Sequence, residues 1–174
     1  KDGSMKRIKT PETPFESNRL YRNDGGRFTD VTAIAGLVSS AFGLSATPVD
    51  IDRDGWLDIY VANDFIEPDN VYFNNRDGTF TDHFFDYFKH TSHFSMGTDA
   101  TDFNNDGLVD IIVVDMKSGD HVRYKELANP MQYDKYNLMV QYGYGRQPGR
   151  NMLQLNCGNN TFIDIGQFAG VSAT

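Results

Sequence analysis

The chain has 174 residues, 39% of them hydrophobic and 13% aromatic, and a formal net charge of −8. Its length and apolar content suit a globular domain with a real core and exclude a wholly disordered chain. The acidic balance argues against nucleic acid or an anionic membrane surface as partner, and no run approaches 18 apolar residues, so direct membrane insertion is not expected.

Residues 1–17 show no apolar period and read as a linker or irregular lead-in. Order is expected from Asn18, where Asn18–Asn23, a glycine turn at Asp24-Gly25-Gly26 and Arg27–Val31 spell a hairpin. A strand near Gly43–Val49 then leads into the acidic stretch Asp50-Ile51-Asp52-Arg53-Asp54-Gly55-Trp56-Leu57-Asp58. Oxygen-bearing side chains stand at loop positions 1, 3, 5 and 9, with glycine at position 6. That is the donor pattern a hard cation such as Ca²⁺ requires, and the glycine permits a sharp turn around it. Four carboxylates crowded within about 5 Å repel one another by a few kcal/mol per pair at an effective dielectric near 20, so a cation gives the arrangement its reason.

Position 12, which carries a bidentate acid in an EF-hand, is Val61, and the loop runs on into the β-branched and aromatic segment Leu57–Ala62. The loop therefore leads into a buried strand instead of a helix. Next come a strand over Asn70–Asn74, a tight turn at Arg76-Asp77-Gly78 and a strand over Thr79–His83. The whole phrase then returns. Asp102-Phe103-Asn104-Asn105-Asp106-Gly107-Leu108-Val109-Asp110 repeats the acidic loop, with Val113 at position 12, and Val109–Asp115 repeats the strand after it. Asn151–Asn156 and Thr161–Asp164 repeat the closing hairpin. Between them, Met116–Arg150 is an insertion in which Asn129-Pro130 reads as a helix start. Met131, Tyr133, Tyr136, Leu138, Met139 and Tyr142 supply an amphipathic stripe, and Gly143 reads as its stop.

The repeat has an offset of 52 residues (50 to 102 for the loops, 28 to 80 for the phenylalanines), lengthened by the insertion to 82 for the last phenylalanine (80 to 162). A period near 50 residues signals a solenoid, propeller or array, and four short antiparallel strands per unit describe a propeller blade. The predicted fold is all-β, a β-propeller segment of about two and a half four-stranded blades with one partly helical insertion. Its parts are a half blade over 18–31, a blade over 43–83 and a blade over 95–165 that carries the insertion at 116–150, all within 18–174.

These phrases resemble a known family. The loops are similar to the Asp-x-Asp-x-Asp-Gly-x-x-Asp cages of FG-GAP repeats in integrin α-subunit propellers. The Asn-x-Leu-Tyr-x-Asn, Gly-x-Phe-Thr-Asp-Val and Ala-Gly-Leu phrasing is similar to the VCBS/FG-GAP-like proteins related to cartilage acidic protein, the ASPIC/UnbV group. The insertion and the Asn151–Asn156 strand look like a surface-protein branch from Bacteroidetes-type bacteria. The resemblance implies a seven-bladed ring in a complete protein, secreted or displayed at the cell surface, that binds protein or glycan in adhesion. It implies two Ca²⁺ sites. Asp50, Asp52, Asp54, the Trp56 carbonyl and Asp58 would hold one ion; Asp102, Asn104, Asp106, the Leu108 carbonyl and Asp110 would hold the other.

Two and a half blades leave open strand edges, so the expected partners are further blades of a longer chain or neighbouring protein chains, with glycan as an alternative. The chain starts at Lys1 with neither an initiator Met nor a signal peptide and reads as a processed or excised piece. Its single cysteine, Cys157, excludes an internal disulfide.

No catalytic constellation stands out. The His90-x-x-His93 pair in a loop reads as solvated histidines, and Ser95 and Cys157 lack activating neighbours. An enzyme reading, a polysaccharide lyase or hydrolase, would need His90, His93, Asp64, Glu67 and the insertion tyrosines to converge beside a cleft. A third reading is an architectural subunit of a cell-envelope assembly. Calcium is expected at one end of the blades and recognition loops at the other.

Overall fold

The computed structural model describes residues 17–116 and 133–173. It contains three antiparallel sheets. β1 (Tyr21–Asn23) pairs with β2 (Phe28–Asp30). β3 (Phe42–Val49), β4 (Asp58–Asp64), β5 (Asn70–Asn74) and β6 (Phe80–Asp82) form a four-stranded sheet in that order. β7 (Ser95–Thr101), β8 (Asp110–Asp115), β9 (Met152–Asn156) and β10 (Phe162–Asp164) form the second. These are a half blade and two blades of a β-propeller. The strand expected near Gly43 begins at Phe42, that expected at Leu57 begins at Asp58, and β5 has its expected bounds.

Blades stack because their middle strands are apolar on both faces. In β4, Tyr60 points to one side and Val61 to the other; in β5, Val71 and Phe73 oppose Tyr72. Tyr60, Val71 and Phe73 join Ile111, Val113, Met152 and Phe162 in the core between the two full blades. Val61 and Tyr72 join Ala35 and Leu37 on the side of the half blade. Burial on both faces explains the unbroken apolar runs in the sequence. The first strands of the two blades are neighbours. Thr47 Oγ1 donates to the Thr98 carbonyl at 2.9 Å.

The joint between units follows one plan. After β2, a turn closed by Ala35 N–H to the Val31 carbonyl and Leu37 N–H to the Thr32 carbonyl lays Ala35 and Leu37 against Phe80 of the following blade. There the Phe80 N–H donates to the Ala35 carbonyl at 2.8 Å. Gly36 is required at this joint: its φ is +79°, and a Cβ would lie 2.7 Å from the Phe80 carbonyl oxygen. The turn after β10 repeats the bonding pattern, with Ala169 N–H to Ile165 and Val171 N–H to Gly166. Between the two full blades the joint takes another form. A one-turn helix, α1 (Phe84–Tyr87), sets Phe84 and Phe88 against Phe162, and the Phe88 and Phe162 rings stack with centroids 4.3 Å apart. Sequence reading treats this segment as a plain connection, because a run of four residues is too short to register a helical period.

The insertion contains a helix, α2 (Tyr133–Gln141), that buries Met139 and leaves Leu138 half exposed. Gly143 ends it with φ +84°, and the paired bonds Gly143 N–H to Val140 and Tyr144 N–H to Met139 make a Schellman stop, as its position predicts. The predicted start at Asn129-Pro130, with Met131, lies outside the described residues. The chain after the helix docks on the preceding blade. The buried Gln147 donates Nε2 to the carbonyls of Ile66 and Tyr144 and shares a 3.1 Å hydrogen bond with His93 Nδ1.

Candidate metal-binding loops and their surroundings

Each acidic loop is wound by its own backbone. In the first, Asp50 takes the N–H groups of Asp54 and Gly55 on its two oxygens, Asp52 takes that of Asp54, and Asp54 takes that of Trp56. In the second, Asp102 takes Asp106 and Gly107, Asn104 takes Asp106, and Asp106 takes Leu108. Arg53 (φ 64°) and Gly55 (φ 87°) match Asn105 (φ 59°) and Gly107 (φ 83°). The two loops share one conformation, 52 residues apart.

The ninth-position aspartates have a different place. Asp58 is buried at the head of β4; one oxygen accepts the Ile51 N–H from the loop and the other the Asn74 N–H from β5. Asp110 does the same with Phe103 and Asn156. Each ties loop, strand and hairpin together. Burial pushes the Asp58 carboxyl above its usual value, the Asn74 and Ile51 N–H groups oppose this, and the nearby charges of Asp52 and Asp54 add to the rise.

One oxygen from each of Asp50, Asp52 and Asp58 lies within 4.8 Å of the others. Calcium–oxygen distances of about 2.3–2.6 Å put ligands on opposite sides of the ion about 5 Å apart, so this group fits a single hard cation. The donors are all oxygen, which disfavours a soft metal.

Asp54 is paired with the neighbouring hairpin. Its Oδ2 accepts from Arg76 Nε at 2.9 Å and Nη2 at 2.7 Å, so the guanidinium of the β5–β6 turn covers the carboxylate at position 5 and holds its pKa below the usual range. In the second loop the corresponding partner is internal: Asn104 Nδ2 donates to Asp106 Oδ2 at 2.8 Å. The 82-residue offset places Gly158 opposite Arg76, and both hold left-handed backbone, φ 71° and 66°. The asymmetry between the loops is thus a substitution in the neighbouring hairpin as well as Asn104 in the loop. Trp56 and Leu108 carry no polar side chain into either loop, and Trp56 is half exposed.

Two of the enzyme candidates, His90 and His93, have separate hydrogen-bond partners. His90 Nε2 meets Asp164 Oδ2 at 3.1 Å, and that buried carboxylate also binds Arg150 Nη2 at 2.6 Å. His93 is buried against Phe94 and Gln147, while Asp64 accepts the N–H of Phe65. The expectation of solvated loop histidines is corrected here. Both are packed, because the segment after the inserted helix folds back over the connection between blades.

At the end of the blades away from the acidic loops, Phe65 has φ +66°, an uncommon conformation for a bulky side chain. It is half exposed, with its ring edge-on to Phe42 at 6.1 Å and Phe94 at 6.2 Å. Nearby, Asp69 is fully buried. Its oxygens accept the Tyr60 hydroxyl at 2.7 Å and the Asn63 N–H at 2.9 Å, and burial pushes its pKa up to about 6.

Among the described residues, no helix is long and apolar enough to cross a membrane. A family model described as FG-GAP-like repeat matches residues 13–61 and 50–113, together more than half of the chain. No curated protein matches it.

Proposed function

This chain belongs to the FG-GAP-like repeat family, and from that membership we propose that it is a calcium-braced, non-catalytic propeller module of a secreted or cell-surface protein. The observation that carries the reading is the oxygen trio of Asp50, Asp52 and Asp58, set within 4.8 Å in a loop whose conformation recurs 52 residues later. Both loops hold an ion in this reading, Asp102, Asn104 and Asp110 taking the place of the trio in the second. Calcium would supply charge neutralisation and cross-linking within the strand 1–2 turn, which Asp58 and Asp110 tie to the following hairpin. The protein's own groups do the rest: Asp58 and Asp110 hold the loop against the blade whether or not an ion is present.

The module acts as a platform for binding or adhesion, with its neighbours being further blades of a longer chain or other protein chains. Support comes from an apolar group of the first sheet: Phe28, which corresponds to the covered Phe162, is 66% exposed and stands where the connection from a preceding unit covers its counterpart.

Thermal unfolding with and without a calcium chelator tests the brace. With calcium ten- to a hundredfold above Kd, each occupied site adds about 1.4–2.7 kcal/mol. For loops of this class Kd falls at about 10⁻⁴–10⁻³ M. The midpoint is expected to fall on chelation and return on adding calcium; an unchanged midpoint overturns the structural role.

A further inference from the structure

We propose that the acidic-loop end of the module also carries a small saccharide site, in the groove between the two full blades. A cavity of about 230 Å³ opens there between the first acidic loop, α1 and the β9–β10 turn. Its apolar wall includes the buried Ile51 and Phe162. Tyr87, half-buried with its ring 4.5 Å from that of Phe73, adds an aromatic surface and a hydroxyl.

The polar rim is what points to a ligand. Arg53, Asn159 and Asn160 line the cavity, and among the described residues their side chains make no hydrogen bond or ion pair. The Tyr87 hydroxyl is equally uncommitted. Asp52 brings a carboxylate to the same rim. Two amides, a guanidinium and a phenol thus converge on a concave surface with an apolar floor, beside the Asp52 carboxylate, which accepts the Asp54 N–H. Binding sites for small molecules have this composition, a mostly apolar enclosure with a few directed polar groups.

The charges select among ligands. Among the lining side chains one carboxylate and one guanidinium offset each other, and the chain's overall −8 disfavours anions. A neutral ligand with an apolar ring face and a rim of hydroxyls matches the mixture, since amides and carboxylates serve hydroxyls as donors and acceptors and aromatic rings cover C–H faces. That chemistry is a pyranose sugar. The cavity's size admits one ring, not a peptide.

This inference rests on the reading of the chain as a binding module but does not require the ion. The test is a titration of the 174-residue chain with methyl pyranosides of glucose, galactose, mannose and N-acetylglucosamine, followed by amide chemical shifts and saturation transfer. At least one glycoside is expected to bind with a millimolar Kd and shift the amides of Arg53, Asn159 and Asn160. The double variant Asn159→Gly, Asn160→Gly removes both amides and suits the left-handed backbone at these positions, φ 49° and 59°. It is expected to bind at least tenfold more weakly at an unchanged melting temperature.

Absence of binding by the folded chain, equal binding by the variant, or shifts reproduced by glycerol at the same concentration would each overturn the site. Calcium-dependent melting measured on the same samples separates the two ideas. Its persistence without glycoside binding removes the sugar site and leaves the brace. Glycoside binding without a calcium effect does the reverse.

Discussion

Phe28, Phe80 and Phe162 stand at the same place in three repeats, yet truncating each to alanine should cost very different amounts. Phe162 is 1% exposed and stacks on Phe88, itself 1% exposed, within the core that joins the two full blades. Removing a ring there loses its transfer energy and leaves a cavity walled by rigid strands, about 3–5 kcal/mol in comparable cores. Phe80 is partly buried against Ala35 and Leu37, so the Phe80→Ala loss should be intermediate, about 1–3 kcal/mol. Phe28 is 66% exposed, and Phe28→Ala should stay within about 0.5 kcal/mol. Domains of ordinary stability have about 5–15 kcal/mol in hand, so Phe162→Ala alone removes a large share. Urea unfolding followed by far-ultraviolet circular dichroism gives the three values side by side. A Phe28→Ala loss as large as that of Phe162→Ala would refute the idea that each blade is covered by the connection leaving its predecessor. So would a Phe162→Ala loss below about 1 kcal/mol.

The Arg76–Asp54 pair is solvent-exposed on the arginine side and worth little to the fold. Arg76→Ala should therefore leave the melting temperature of the calcium-free chain nearly unchanged. It should tighten calcium at the first loop several-fold, because a fourth carboxylate is released and a positive charge removed; calorimetric titration showing weaker binding would contradict this. The pairing also bears on truncation of the two fifth-position carboxylates, Asp54→Ala and Asp106→Ala. With Asp54 turned to Arg76, the two losses should be similar. Asp69 gives a pH signature. Its folded pKa, about 6, lies above the ordinary 3.8 of a free aspartate, so the folded state holds the proton more tightly. Its contribution is full below about pH 4 and is lost as pH rises through about 6, by an amount on the order of 1–3 kcal/mol. Asp69→Asn should flatten the difference in stability between pH 4 and pH 7 measured in urea without calcium, and an unaltered slope would show that Asp69 does not titrate there. Gly143→Ala, at φ +84°, should cost about 1 kcal/mol through the helix stop, read as a lower urea midpoint.

Much of this architecture is legible in the residues because one phrase is spoken three times. The 52-residue offset fixes the blade phase, and the Val and Ile runs after each acidic loop mark strands buried on both faces. What escapes sequence reading is contact between units. Nothing in Phe84–Phe88 announces a helix, since its apolar residues answer to Phe162, 74 residues beyond Phe88. The histidines look like loop residues because Gln147 and Asp164, which hold them, are distant in sequence. Arg76 reads as a turn residue. Its hold on Asp54 follows only once the antiparallel order places the β3–β4 and β5–β6 turns at one end. That same order, with Gly158 at the matching position, was the available clue that the two loops are not equivalent.

The joints centre on the connections that leave the fourth strand, and the connection between the second and third strands varies in length. In the first blade that link is 65–69, and in the second it is 116–151. The pairing across it is nevertheless conserved in register: Ile59 with Tyr72, Tyr60 with Val71 and Val61 with Asn70 correspond to Ile111 with Gln154, Ile112 with Leu153 and Val113 with Met152. Lengthening a loop raises its closure cost only logarithmically, about 0.6 kcal/mol for each doubling. The scaffold is therefore a chassis with a designated socket. A peptide tag, fluorescent reporter or foreign recognition loop set within 117–132 should leave blade order and both acidic loops intact, whereas the same graft between Val31 and Ala41 would pull the blades apart.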